Sequence, residues 1–231
     1  MRVRSKRYRK DMEVQPARPV PLDEAIQRLK SYSKTKFDQS VDLVMHLGID
    51  PKQADQAVRG AVSLPKGVGA AKKVIAFVQE GDVAAAKAAG ASEAGGDELI
   101  AKVQGGWADF DVAIAHPSMM GRVGKLGRIL GPQGKMPSPK SGTVTPDVAT
   151  AVKEYAAGKL EFRNDAGGNV HTVVGRLSFA EQDLKDNILA FVSHIRRMKP
   201  AAAKGTYVKK VCVSGTMTPS VTIDAASLGA E

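Results

Sequence analysis

LPKGVGAAKKVIAFVQ, Leu64 to Gln79, marks where the chain changes its hydropathy pattern. Before it, KFDQSVDLVMHLGI (36–49) alternates: Phe37, Val41, Leu43, Met45 and Leu47 are apolar, while Lys36, Asp38, Ser40, Asp42 and His46 are polar. That is the period of a strand with one dry and one wet face. After the Pro/Gly break, KKVIAFVQ is continuously apolar, as in a strand buried on both faces of a parallel sheet. The break therefore separates two kinds of sheet.

Working outward, the block beyond the break alternates strand and helix. GDVAAAKAAGA (81–91) and DELIAKVQGGW (97–107) read as helices separated by Gly95 and Gly96, and FDVAIAH (110–116) as a second buried strand. MMGRVGKLGRIL (119–130) places Met119, Val123, Leu126 and Leu130 on one helical face. PDVATAVKEYAAGK (146–159) follows a glycine- and proline-rich loop as a further helix. Strand–helix alternation predicts a parallel sheet wrapped by helices. On either side the text differs. VPLDEAIQRLK (20–30) has Leu22, Ala25, Ile26 and Leu29 at helical spacing, and AVRGAVSLP (57–65) reads as a strand ended by Pro65. LEFRND (160–165) and NVHTVVGRLSF (169–179) read as a hairpin. Ser178 and Glu181 form a capping box for a long helix through Lys199, and TYVKKVCVSG and PSVTID close the chain as strands.

The expected fold is thus α/β and α+β in two domains. An antiparallel-sheet-plus-helices domain is built from both chain ends, 1–66 and 160–231. A Rossmann-like three-layer α/β domain, 67–159, is inserted in it. Gly67, Gly69 and Gly158 stand at the two crossings and read as a hinge.

The chain has 231 residues, 34 Lys and Arg against 24 Asp and Glu, a net charge of +10 and a pI near 9.7. The outer segments hold 23 of the basic and 15 of the acidic residues. The outer domain is therefore the better partner for a polyanion. The basic arm up to Lys10 has little to bury and is expected to be mobile. No apolar run reaches the roughly 18 to 20 residues of a membrane span, and no apolar segment follows MRVRSKRYRKDMEV to make a secretory signal. One cysteine, Cys212, excludes an internal disulfide and fits a reducing, cytosolic compartment.

Catalytic patterns fail one by one. GRILGPQGKMPSPKSGTV (127–144) has a Gly-Lys pair, but Ile129 and Met136 stand where a phosphate-binding loop needs glycine and Ser or Thr. KKVIAFVQEGDVAAAK has one glycine where the dinucleotide fingerprint needs three. His46, His116, His171 and His194 lack metal-ligand spacing. Cys212 reads as a packed core thiol, His171 as a hydrogen-bonded sheet residue, and Asp109 and Asp111 as capping or solvated acids. Lys36, Ser40, Arg163, Asn164 and the helix end HIRRMK offer phosphate contacts or ordinary solvated faces. Aromatics are only 5%, so stacking platforms are not visible in the composition. A nucleotide-holding insert and a membrane-surface role for the basic arm stay open as alternatives.

Four stretches carry a resemblance: KFDQSVDLVMHLGIDPKQADQAVRGAVSLPKGVG, LGRILGPQGKMPSPKSGTV, EFRND and GTMTPSV. In motif, order and spacing the chain resembles the L-one family of large-subunit ribosomal proteins, the protein of the mobile side stalk. The resemblance implies a non-enzymatic, cytoplasmic ribosomal protein without cofactor or metal, monomeric when free and not membrane-bound. It implies that the outer domain binds large-subunit rRNA, that the stalk moves with exit-site tRNA, and that bacterial members repress their own operon mRNA. Carried onto this chain, the implied RNA surface comprises Glu24, Lys36, Phe37, Ser40, Arg163, Asp165, His171, Thr216, Met217 and Thr218. Arg59 is a candidate tRNA contact. The sequence departs from the family at Gln39, where glutamate is common, and at Thr218, where glycine is usual and where a threonine would crowd the backbone or restrict its dihedrals if that backbone lies against RNA. Pattern puts Phe37 with the core and the resemblance puts it against RNA. The loop 127–144 is the most recognisable signature of the resemblance and is left without a role.

Overall fold

The structure is a computed structural model that describes residues 4–69 and 72–228. In chain order its elements are α1 (Lys6–Glu13), α2 (Leu22–Ser31), β1 (Ser40–Leu47), β2 (Arg59–Val62), β3 (Val74–Phe77), α3 (Val83–Ala88), β4 (Glu93–Gly95) and α4 (Asp97–Gln104). There follow β5 (Val112–Ala115), α5 (Met120–Val123), α6 (Gly127–Leu130), α7 (Val148–Ala156), β6 (Leu160–Arg163), β7 (Asn169–Arg176), α8 (Glu181–Arg197), β8 (Val208–Gly215) and β9 (Val221–Ile223). The chain divides into two compact units, Met1–Gly69 with Phe162–Glu231, and Ala70–Glu161.

In the first unit an antiparallel sheet runs in the order β7-β1-β8-β9. The alternation read in β1 decides its orientation. Val41, Leu43, Met45 and Leu47 are buried, while Ser40, Asp42, Val44 and His46 line the other face. α2 and α8 pack on the buried side, contributing Leu22, Ile26 and Leu29, and Leu184, Ile188, Phe191 and Ile195. α2 has Asp23 and Glu24 in its first turn and Arg28 and Lys30 in its last, matching the helix dipole. The second sheet of this part of the chain is the pair β2-β6.

Several expectations are corrected here. β6 and β7 do not form a hairpin ladder. Asn164 exchanges hydrogen bonds with Val58 through its backbone and side chain, both at 2.9 Å, which draws β6 toward β2. A single bridge, Asn164 to Val170, joins it to β7. The capping box is absent, because Ser178 turns away and donates from its hydroxyl to Asp38 at 2.7 Å. The basic arm is helical from Lys6, with Ser5 as its cap; residues 1–3 lie outside the described residues. Cys212 is half-buried on the outer face of the sheet, since the β8 period gives the core to Val211 and Val213.

Asn187, fully buried in α8, fixes the crossing that leaves this unit. It accepts from the Lys66 N–H at 3.0 Å and donates to the Gly67 and Val174 carbonyls at 2.9 and 2.8 Å. Gly67 and Gly69 both have positive φ, 62° and 73°. A Cβ on Gly69 would meet the Phe179 ring at 2.8 Å, so only glycine fits.

The second unit is a parallel sheet, β4-β3-β5. α3 and α7 pack on one face. α4, α5 and α6 bring Leu99, Ile100, Val103, Val123 and Leu130 to the other face. This is the expected three-layer arrangement. β4 escaped the sequence reading because three residues with a glycine leave no apolar run. The expected helix over 119–130 is broken into two four-residue pieces around a 3₁₀ turn, Gly124–Leu126. Gly121, Gly124 and Gly127 lower helix propensity there, yet Met119, Val123, Leu126 and Leu130 are all buried. Gly158 closes α7 with φ 105°.

Candidate nucleic-acid interface

One end of the four-stranded sheet gathers most of the residues singled out by the sequence. Val41 faces Gly215 across β1 and β8, and the ladder runs one step beyond. The Thr216 N–H donates to the Ser40 carbonyl, and the Ser40 N–H donates to Thr216 Oγ1, both at 3.1 Å. The next residue, Met217, donates its N–H to Gln39 Oε1 at 2.9 Å. Gln39 is only 3% exposed, so this acceptor is dry and fixed. Thr218 then closes the turn: its Oγ1 accepts the Gly215 N–H at 2.8 Å, and its own N–H returns to the Gly215 carbonyl.

The consequence is a rigid turn with an outward side chain. Met217 is 49% exposed, and Phe37, at a bend just before β1, is 51% exposed. Phe37 is therefore not core. Strand alternation cannot extend to it, because β1 begins only at Ser40. Lys34 and Lys36 are exposed beside it. Arg176, opposite Ser40 on β7, donates to Ser40 Oγ at 3.1 Å. An open cleft of ≈ 250 Å³ runs past Tyr32, Lys34, Phe37, Gln39 and Thr218. Large apolar side chains left in water beside cations suit a base or ribose flanked by phosphates.

Thr218 itself is buried, at 8% exposure, and spends its hydroxyl inside the turn. No residue other than glycine has positive φ among the described residues, so the threonine is not strained. The expected restriction of the backbone is absent, and the side chain points inward.

Asp165 and His171 form a separate cluster. Asp165 Oδ1 accepts from the N–H groups of Gly167 at 2.8 Å and Asn169 at 2.7 Å, and Oδ2 meets the Asn169 amide and His171 Nε2 at 3.0 and 3.3 Å. These bonds, those to Asn169 foremost, hold the carboxyl well below the usual carboxylate range. His171 is exposed on the outer face opposite Val44, about 13 Å along β1 from Ser40 at strand rise. Burial pushes the neighbouring Asp42 carboxyl up, and the charge of His171 opposes that. Glu24 pairs with Arg28 at 3.7 Å on α2, while Arg163 and Arg59 are exposed on β6 and β2. None of these three joins the cluster around Met217.

In the loop 127–144, Lys135 is not free to bind a phosphate. Lys135 donates to the Ala108 carbonyl at 2.9 Å and lies over the Phe110 ring, 5.0 Å from its centre. Tyr155 donates its hydroxyl to the Ser141 carbonyl at 2.7 Å, tying the loop to α7. Among the described residues no group of three His, Cys, Asp or Glu side chains is placed to hold a metal ion, and no helix is long and apolar enough to cross a membrane.

Sequence reasoning treated Gln39 only as a departure and missed the parts played by Arg176 and Gly215. Gln39 stands one residue before β1, so the strand's alternation gave no secure signal that it would turn inward with Val41.

Comparison with known proteins gives one family. The profile described as Ribosomal protein L1p/L10e family matches residues 29–219. The large ribosomal subunit protein uL1 of Rhodopirellula baltica is 54% identical over 220 residues, 95% of this chain and 98% of that protein. Those of Nocardioides sp. and Kosmotoga olearia are 53% and 50% identical, over 87% and 96% of this chain and 83% and 96% of theirs.

Proposed function

The chain belongs to the ribosomal protein L1p/L10e family, and we propose that its split unit binds large-subunit rRNA at the mobile side stalk. It is a structural, non-enzymatic constituent of the large ribosomal subunit. The observation that carries the RNA reading is the turn Thr216–Thr218, whose backbone is fixed by Ser40 and Gln39 while Met217 and Phe37 stay exposed. An exposed methionine on a fixed turn, with exposed Phe37, Lys34 and Lys36 at the same end of the sheet, recognises a splayed nucleotide at low ordering cost.

In this reading Lys36, Phe37, Ser40, Thr216 and Met217 form the centre of the contact, with Thr218 shaping it from inside. His171 and Arg163 extend it, Asp165 orients His171, and Glu24 lies at its margin. The protein works in the cytoplasm as a monomer until it joins the subunit. There it moves with exit-site tRNA, touching it through Arg59, with Gly67, Gly69 and Gly158 as hinge positions. The same surface takes a similar fold in its own operon mRNA and represses translation. It needs no cofactor.

Filter binding to a stalk rRNA fragment tests the proposal. Affinity should fall steeply between 50 and 200 mM salt. Phe37→Ala should cost about 1–3 kcal/mol, the worth of one stacked base, and Thr216→Ala and Met217→Ala should weaken binding while the fold survives. Unchanged affinity in all three variants would remove this end of the sheet from the site.

A further inference from the structure

Met217 is held from two sides, and the second hold comes from the opposite end of the chain. Arg7 of α1, 210 residues away, donates from one guanidinium nitrogen to the Met217 carbonyl at 2.9 Å. Its other terminal nitrogen donates to the Ser33 carbonyl at 3.3 Å. Gln39 already holds the Met217 N–H. Both polar groups of this one residue are thus pinned, and only its side chain is left to face outward. We propose that Arg7 is a positioning residue for the RNA-contacting turn, and that α1 is a structural wall of that site. The inference rests on the RNA-binding reading given above.

The surroundings of α1 support this. Asp11 lies one turn after Arg7 on the same helical face. It is 4% exposed, and its Oδ1 accepts the Ser33 N–H at 3.1 Å and the Ser33 hydroxyl at 2.6 Å. Ser33 is therefore gripped through three groups by two residues of α1. The chain then follows the outside of the β8–β9 turn. Gln15 donates from its side chain to the Ser220 carbonyl at 2.6 Å, and the Val20 N–H donates to the Thr222 carbonyl at 3.1 Å. Three directed contacts, at Met217, Ser220 and Thr222, fix residues 7–20 along this turn.

The cations of α1 divide accordingly. Lys6, Arg9 and Lys10 are exposed and free to attract phosphates. Arg7 is half-buried, and its two terminal nitrogens are spent on neutral carbonyls. A planar fork reaching two carbonyls at once is a task for arginine; lysine offers a single compact charge.

The salt dependence of binding separates the roles, because a phosphate contact contributes to the slope of log K against log salt and a positioning contact does not. The full chain and its Arg7→Gln, Arg7→Lys and Lys10→Gln variants are titrated against a stalk rRNA fragment between 50 and 200 mM salt. Arg7→Gln should bind about tenfold more weakly at every salt concentration with the wild-type slope, and Arg7→Lys, which keeps the charge, should also be weakened. Lys10→Gln should reduce the slope by about 0.7–0.9. In the free protein, Arg7→Gln should shift the Met217 methyl resonance and speed exchange of its neighbouring amides. Wild-type affinity in Arg7→Gln, or a loss that comes with a reduced slope, overturns the inference and leaves the RNA-binding reading standing. Failure of the wild-type chain to bind the fragment overturns both.

Discussion

The side-chain oxygen of Gln39 accepts the backbone N–H of Met217 at 2.9 Å, joining residues 178 positions apart in the chain. The bond turns an exposed methionine into a fixed one. The resemblance to the family expects glutamate at this position, and the amide offers the same acceptor without burying a charge. Gln39→Leu should leave the Met217 N–H without its acceptor and cost about 1–3 kcal/mol in urea unfolding, with weaker rRNA-fragment binding. Gln39→Glu keeps the acceptor and should bind close to wild type. Equal stability and affinity in wild type and Gln39→Leu would show that the turn holds itself.

Thr218 makes a related prediction. Its Oγ1 is the partner of the buried Gly215 N–H, at 2.8 Å. There is little slack, since a Cβ on Gly215 would meet Thr218 Oγ1 at 3.0 Å and Leu177 at 3.1 Å. Thr218→Val keeps the shape and loses the acceptor, and should destabilise by about 1–2 kcal/mol. Thr218→Ser keeps the hydroxyl and loses one buried methyl, so it should cost at most about 0.8 kcal/mol. Denaturation midpoints of the two variants decide it; a valine as stable as the serine would assign the hydroxyl no role.

The contrast between these two residues shows what the sequence makes legible. Period alone placed Val41, Leu43, Met45 and Leu47 in the core and separated the antiparallel unit from the parallel insert, because burial of a sheet face is a regular, repeating constraint. The ends of the elements obey no period. Phe37 was drawn into the β1 pattern although the strand begins three residues later, and Ser178 was read as a cap although Asp38, 140 residues distant, claims it. The same holds for Arg7 with Met217 and Asn187 with Gly67. Each is a directed bond between distant parts of the chain, and single-sequence spacing carries no trace of such pairs. The candidate site is built mainly of them. Lys36 and Ser40 were readable from the wet face of the strand pattern, Phe37, Thr216 and Met217 as contacts only through the motifs of the resemblance, and the devices that hold them not at all.

Asp165 gives the site a pH dependence whose sign is fixed. Hydrogen bonds from Asn169, His171 and Gly167 hold its carboxyl below the ordinary range. A depressed carboxyl stabilises the fold above its unfolded pKa, about 3.9, and that contribution is lost as pH falls toward the folded value. The stability drawn from the turn 165–169 should therefore begin to fall below about pH 4, and Asp165→Asn should be less stable than wild type at pH 7, with the gap narrowing toward pH 3. Thermal melting from pH 3 to 7 measures this. A gap that widens in acid would contradict the assignment of these bonds to the ionised carboxylate.

Leu126 is fully buried in the core of the insert, among Val123, Leu130, Phe77 and Val103. Leu126→Ala removes three heavy atoms from a site that the parallel sheet keeps from collapsing, and should cost about 2–5 kcal/mol. In a unit of this size that lowers the melting temperature of the insert by roughly 10 °C or more. Every residue of the proposed RNA contact lies in the other unit, Met1–Gly69 with Phe162–Glu231. At temperatures where both units remain folded, rRNA-fragment affinity should therefore match wild type, while calorimetry shows the insert's transition moved down. Affinity that falls in step with the stability of the insert would instead put part of the RNA contact on Ala70–Glu161.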